Sequence, residues 1–150
     1  MRFSEAMTMT EGSDGRFTVT FDRSWWVVSG PNGGIIVALL VRAAQARLGT
    51  RKCVRTVTTH FLAAPTEGLA EIEVSVDRLG RVAGFATVRM LQDGRNIATA
   101  LVATAELPSS LHEWEQRRFP DLPALNDTWV MRSESVDVPL HRRWDQRWGL

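Results

Sequence analysis

The amino-acid sequence predicts an α+β fold in which an antiparallel sheet wraps around one central helix. From Ile35 to Gln45 the only polar residues are Arg42 and Gln45, and a helix that is apolar nearly all round is typical of a buried helix. Four strand-like segments follow, without a second helical segment of comparable strength. A single buried helix must cover its apolar surface with other elements, and a sheet that packs around it does so.

The first elements follow from periodicity and turn residues. Residues 1–16 are polar and predict a loose start. Alternation of large apolar residues and threonine over Phe17–Phe21 predicts a half-buried strand. The helix is expected to begin between Asn32 and Gly34, directly after a turn cluster, and to end at Gly49, a suitable residue for a helix C-terminus.

The remaining strands are predicted over residues 52–62, 69–79, 82–92 and 96–106. In the second of these, apolar and polar residues alternate, which predicts one dry and one wet face. Asp93-Gly94 is a strong hairpin signal between the last two strands. The final strand is rich in small residues, which would let the helix lie close to it.

Residues 1–106 are therefore expected to form one domain, and residues 107–150 a linker or wrapping arm. Proline residues and weak periodicity mark this second part. It also holds Trp129, Trp144 and Trp148. These large apolar side chains are expected to dock on the domain or on a partner.

Composition excludes several classes of protein. A formal net charge of +1 argues against a general surface for nucleic acid. Cys53 is the single cysteine, which excludes an internal disulfide and a cysteine-based zinc site and favours a cytoplasmic location. No apolar stretch suits a signal peptide. The longest apolar run is shorter than the ~20 residues that span a membrane.

The first candidate site is Gly30-Pro31-Asn32-Gly33-Gly34, at the predicted start of the helix. Free backbone N–H groups and the helix dipole converge there and stabilise negative charge on a substrate carbonyl or phosphate. The plainer interpretation is a tight turn with Asn32 as the helix cap. His60 is a second candidate, expected on the helix-facing side of its strand as an acid, base or hydrogen-bond donor. Its plainer interpretation is a structural histidine.

Three arginines at predicted turns are candidate phosphate contacts: Arg78, Arg81 and Arg95. The alternative for each is a solvated charge at a hairpin. Gln92 is either a polar site group or a strand-end amide. The sequence contains no nucleophile elbow, P-loop, dinucleotide fingerprint or His-Glu-x-x-His motif, and no metal site is expected.

Taken together, these motifs resemble the N-terminal half of an acyl-CoA thioesterase II-type protein with the hotdog fold. The resemblance covers roughly residues 17–106. It rests on GPNGG entering the helix, Ala43-Ala44 late in it, THFLAAP after it, and RLGR and QDGR at later turns. It implies five or six strands around the helix, and hydrolysis of fatty acyl-CoA to free acid and CoA. No separate cofactor is implied, because CoA is part of the substrate.

The sequence departs from the family in two respects, one of which is that residues 107–150 resemble only the family's lead into a second hotdog half. The family's usual member has two hotdog halves, and its catalytic Asp, Thr and Gln lie in the C-terminal half. At the corresponding helix and last-strand positions this chain has Val41 or Arg42, and Val102. The leading hypothesis is a thioesterase whose site is completed across an interface, with a second hotdog half or another copy. The rival is a non-catalytic acyl-CoA binding or structural half.

Overall fold

The computed structural model describes residues 2–107, 120–130, 138–144 and 147–148. Its main feature is a six-stranded antiparallel sheet with one long helix packed on it. The helices and strands are α1 (Phe3–Ala6), β1 (Thr10–Glu11), β2 (Phe17–Phe21), α2 (Gly33–Leu48), β3 (Cys53–Phe61), β4 (Gly68–Leu79), β5 (Ala83–Gln92), β6 (Arg95–Ala105), β7 (Trp129–Val130) and β8 (Arg147–Trp148). The strand order in the sheet is β1-β2-β4-β5-β6-β3. Single turns of 3-10 helix cover Arg23–Trp25, Leu125–Asp127 and Pro139–Arg142. The predicted fold class is confirmed.

The helix α2 begins and ends where the sequence predicts. The Asn32 side-chain oxygen accepts a hydrogen bond from the Gly34 N–H at 2.8 Å, which makes Asn32 the N-cap. At the other end Gly49 adopts a φ of +89°, a conformation that glycine takes without steric cost. The core-facing residues of α2 are Ile35, Ile36, Leu39, Leu40, Ala43, Ala44 and Leu48.

The two central strands carry the other half of the core. Alternate residues of β5 and β6 face the helix and are fully buried, among them Ala98 and Ala100. These small side chains let α2 lie close to the sheet, as predicted. On β4, Ile72 is buried whereas Val76 is 42% exposed. The predicted dry face is therefore dry only in the first half of that strand.

Strand β3 forms one edge of the sheet and, among the strands that the structure describes, pairs only with β6. Its register shifts between Val54 and Thr56, so Arg55 is the extra residue of a bulge. Most β3 residues are exposed. Val57, Phe61 and the following Leu62 are apolar and exposed along this edge.

The N-terminal residues are held in place, contrary to the predicted loose start. Arg47 near the end of α2 forms an ion pair with Glu11 at 2.8 Å, donates to the carbonyl of Gly15, and lies 4.8 Å above the Phe17 ring centre. The short strand β1 adds a sixth strand beside β2. These contacts join residues about 30 positions apart, so local sequence patterns do not reveal them.

Part of the predicted arm returns to the domain. The Leu140 N–H donates to the Trp26 carbonyl at 3.0 Å, and the Leu140 side chain is buried in the core. Trp129 and Trp148 stack on each other at 6.1 Å while staying half exposed. Residues 108–119, 131–137, 145–146 and 149–150 of the arm lie outside the described residues.

No helix in the described part of the chain is long and apolar enough to cross a membrane.

Candidate functional site

The loop before α2 is a tightly bonded turn. The Val27 N–H donates to the Gly30 carbonyl at 2.8 Å, and the Asn32 N–H donates to the Trp25 carbonyl at 2.9 Å. Trp26 and Pro31 form an isolated antiparallel bridge. The loop therefore presents the first turn of the helix in a fixed position.

One backbone donor remains available at this helix start. The Gly34 N–H is bound by the Asn32 side chain, and the Ile35 N–H donates to the Asn32 carbonyl at 3.0 Å. Among the described residues the Gly33 N–H has no acceptor. An unsatisfied N–H at the positive end of a helix dipole is a suitable donor for an oxygen on which negative charge develops. The interpretation as a capped turn is therefore confirmed, whereas ligand binding by the Gly33 donor, which has no acceptor in the described part of the chain, stays a prediction.

An open cavity of about 400 Å³ lies beside this donor. It lies between the turn before α2 and the segment that follows β3. Its lining residues are Val27, Ser29, Gly30, Pro31, Gly33, Ile36, Phe61, Leu62, Ala63, Ala64 and Pro65. None of these side chains is ionisable, so the cavity suits an apolar group and supplies no general base.

Phe61 was not singled out from the sequence, yet it closes one side of this cavity. Its ring lies 3.1 Å from the position that a Cβ on Gly33 would take. Phe61 pairs with the buried Ala98 of β6, which places it on the helix-facing side of the sheet. The alternation of residues in β3 places His60 and Phe61 on opposite faces of the sheet. Only the register of β3 against β6 shows that the face with Phe61 is turned towards the helix.

His60 does not lie where the sequence analysis expected it. It pairs with Thr99, whose neighbours Ala98 and Ala100 face the helix, so His60 lies on the outer face of the sheet. The prediction of a helix-facing histidine is wrong, because successive strand residues point to opposite faces. His60 is therefore directed away from the cavity at the start of α2.

The helix-facing side of β3 carries a polar residue that the sequence did not single out, Thr59. Thr59 pairs with Ala100, and its buried side-chain oxygen has no hydrogen-bond partner among the residues that the structure describes. An unsatisfied buried hydroxyl costs about 1–3 kcal/mol. A ligand group or a neighbouring chain that supplied a partner would remove this cost.

The three arginines lie at two different ends of the sheet. Arg95 begins β6, three residues before Ala98. Ala98 pairs with Phe61, whose ring lies against the start of α2, so Arg95 lies at that end of the sheet. Arg78 and Arg81 lie at the β4–β5 turn, near the end of α2. The ten residues of β5 separate Arg81 from Arg95 by about 30 Å. One phosphate group cannot contact both within this chain.

Gln92 has a structural function. It is 8% exposed, accepts from the Thr66 N–H at 2.8 Å, and donates to the carbonyls of Thr66 and Leu69 at 3.0 and 3.2 Å. The strand-end interpretation is confirmed. Through these hydrogen bonds Gln92 holds the end of the segment that follows β3, and it is this segment that lines the cavity.

The six-stranded antiparallel sheet packed on one long helix is the hotdog fold, as comparison with solved structures shows. A conserved protein from Alicyclobacillus acidocaldarius, described as having a hot dog fold, superposes with a TM-score of 0.83 at 23% identity; the match covers 93% of this chain and 52% of that one. A hypothetical thioesterase with coenzyme A from Streptococcus pneumoniae gives a TM-score of 0.58 at 19% identity, over 65% of this chain and 83% of that one.

The sequence profile of the acyl-CoA thioesterase N-terminal domain matches residues 22–105, and the chain belongs to this family. A protein from Thermobifida fusca, described as a proposed thioesterase II, is 26% identical with a TM-score of 0.76, over 88% of this chain and 49% of that one. The chain thus spans about half the length of this relative and of the Alicyclobacillus protein. A comparison with curated protein sequences gave no match.

Proposed function

We propose that this chain is a hotdog unit of a thioester hydrolase that converts fatty acyl-CoA to free acid and CoA. The observation that carries the proposal is the Gly33 N–H, which has no acceptor within the described ranges and lies beside an apolar cavity. The thioester carbonyl oxygen would accept from Gly33, and the acyl chain would lie along Phe61 and Leu62. Membership of the acyl-CoA thioesterase family and the coenzyme A of the Streptococcus pneumoniae structure support CoA as the substrate's other half.

In the proposed hydrolysis this chain supplies the hydrogen-bond donor for the oxyanion, and the general base comes from outside its cavity. Hydrolysis requires a water oxygen to attack the carbonyl carbon while a general base takes the water proton. The C–S bond then breaks, and the CoA thiolate takes up a proton. Gly33 would stabilise the oxyanion, a contribution worth roughly 2.7–4 kcal/mol for one donor in other enzymes. The cavity residues contain no base.

The base is therefore expected from a second hotdog unit, either another copy or a further half. The exposed edge strand β3 is the surface through which we propose that this unit docks. An edge strand offers unpaired backbone groups to another strand, and Val57, Phe61 and Leu62 add exposed apolar side chains there. The buried hydroxyl of Thr59 lies in the same strand. An antiparallel pair of β3 strands would cover all four.

A non-catalytic acyl-CoA binding half is the second candidate. The lining of the cavity favours it, because binding needs the apolar wall and the Gly33 donor but no base. We also propose a cytoplasmic location, in keeping with one unpaired cysteine, Cys53. No separate cofactor is needed by either candidate.

A panel of acyl-CoA thioesters with thiol release as the readout separates the two candidates. It should be run on this chain and on any longer natural form. We expect acyl-CoA binding by the 150-residue chain with little or no turnover, and turnover where a second unit completes the site. Binding without turnover in every form would favour the non-catalytic candidate, and no binding at all would contradict both.

A further inference from the structure

A basic cavity lies at the opposite end of the domain from the helix start. Its volume is about 850 Å³, and it lies between the end of α2 and the β4–β5 turn. Its charged lining residues are Arg47, Arg51, Lys52, Arg81 and Glu106. Arg47 is already engaged by Glu11 and by the Gly15 carbonyl.

Three of these cations lack a counterion in the part of the chain that the structure describes. Arg51, Lys52 and Arg81 take part in no salt bridge there. The C-terminal end of α2 carries the equivalent of about half a negative charge, and Glu106 adds one. Three positive charges against these leave roughly one and a half in excess. The helix dipole therefore explains one cation at this position, but not three around a cavity.

Like charges gathered around a cavity raise the local concentration of anions and favour their binding. Arginine matches phosphate geometry with two parallel N–H donors, and lysine supplies a compact charge. A terminal phosphate group, which carries a charge of about −1.5 to −2 near pH 7, would bring the excess charge close to neutrality. The cavity is also large enough for more than a single ion.

The position of the cavity determines which substrate molecule it can serve. The 16 residues of α2 separate it from Gly33 of the same chain by about 24 Å. If the β3 edges of two units pair antiparallel, the basic cavity of one unit lies near Gly33 of the other unit. The Cys53 end of one strand then lies beside the Phe61 end of the other, so the end of one α2 lies near the start of its neighbour.

We propose that Arg51, Lys52 and Arg81 bind the phosphate groups at the nucleotide end of CoA. The CoA concerned is the one whose thioester lies at the α2 start of the neighbouring hotdog unit. This inference rests on the proposed function, because it takes acyl-CoA as the substrate and the β3 edge as the interface. It excludes Arg95, at the far end of the sheet, from the same phosphate site.

Calorimetric titration of the whole chain tests the assignment with four probes: CoA, adenosine 3′,5′-bisphosphate, pantetheine and inorganic phosphate. For Lys52→Gln and Arg81→Gln we expect at least tenfold weaker binding of CoA and of the bisphosphate, with pantetheine unaffected. Arg89→Gln is the matched control. This substitution removes one positive charge from the outer face of β5, where Arg89 forms an ion pair with Glu73. Arg89 lies six residues beyond Ala83, the residue at which β5 leaves the cavity end of the sheet.

Equal effects of the three variants would overturn the proposal. So would inorganic phosphate binding as tightly as the bisphosphate, because the cavity would then be a general anion site. Weaker bisphosphate binding in Lys52→Gln and Arg81→Gln, with no thioester hydrolysis by this chain or by any longer natural form, would support the cavity and contradict the hydrolase. Hydrolysis with unchanged bisphosphate binding would contradict the cavity alone.

Discussion

The ring of Phe61 lies 3.1 Å from the place where a Cβ on Gly33 would stand. The edge strand β3 can approach the first turn of α2 so closely because residue 33 has no side chain. This contact joins the free backbone donor to the apolar cavity. The same ring is 55% exposed, so it lies both at the candidate site and at the sheet edge where a second unit is proposed.

Gly33→Ala should weaken acyl-CoA binding more than it weakens the fold. Alanine suits a helix better than glycine by up to about 1 kcal/mol, whereas its methyl group must push the exposed Phe61 ring towards the cavity. We expect an unfolding temperature close to that of the parent chain and at least tenfold weaker binding of a long-chain acyl-CoA. Gly33→Ala combined with Phe61→Ala should recover part of the affinity. Unchanged binding by the single variant would contradict a ligand at this helix start.

Asn32→Ala should lower stability by about 1 kcal/mol, because the Gly34 N–H loses its cap. In a domain of this size that corresponds to a shift of roughly 2–4 °C in the unfolding temperature. Asn32→Asp is the matched control, since its carboxylate still accepts from Gly34. Thermal unfolding followed by circular dichroism measures both. Equal shifts for the two variants would show that the cap contributes nothing.

His60→Ala should leave acyl-CoA binding and any thioester turnover within twofold of the parent chain. The side chain lies on the outer face of the sheet, away from the cavity at α2. Thiol release under saturating substrate is the measurement, and Thr99→Ala, opposite His60 on the same face, is a suitable control. Robust turnover by the 150-residue chain that His60→Ala abolished would falsify this and restore histidine as the base.

Gln92→Leu should destabilise the domain by about 2–4 kcal/mol. The substitution removes three hydrogen bonds, to the N–H and carbonyl of Thr66 and to the carbonyl of Leu69, and each such bond contributes about 0.5–1.5 kcal/mol. Urea unfolding measures the change. Because Gln92 holds the segment that lines the cavity, acyl-CoA binding should weaken as well. A loss below roughly 0.5 kcal/mol, the size of an ordinary surface change, would contradict this structural function.

Val57→Lys should reduce self-association through the β3 edge. Lysine on an edge strand opposes pairing with another strand, and Val57 is exposed enough for the change to leave the core intact. Light scattering at micromolar concentration should show the parent chain above its monomer mass of 16.8 kDa and the variant closer to it. Phe85→Lys, on the outer face of β5, is the control. A parent chain that scatters as a clean monomer would contradict self-association through this edge.

The sequence by itself determined the elements and the position of the helix start. Local signals are strong there: the Asn32 cap and Gly49 delimit α2, and Asp93-Gly94, with positive φ at both residues, forms the predicted hairpin. The small residues of the last strand predicted a close approach of the helix, and Ala98 and Ala100 of β6 are buried beneath it. Such features depend on neighbours within a few residues, which a sequence pattern records.

Only the tertiary structure decided which side chains meet. Strand order made β3 an edge, and the bulge at Arg55 with the register against β6 put His60 outside and Phe61 against Gly33. The same topology separated Arg81 from Arg95 and gathered Arg81 with Arg51 and Lys52. These relations join residues far apart in the chain, and a shift of one residue in strand register exchanges the two faces. A local pattern contains no record of that register, because the pairing of distant strands sets it.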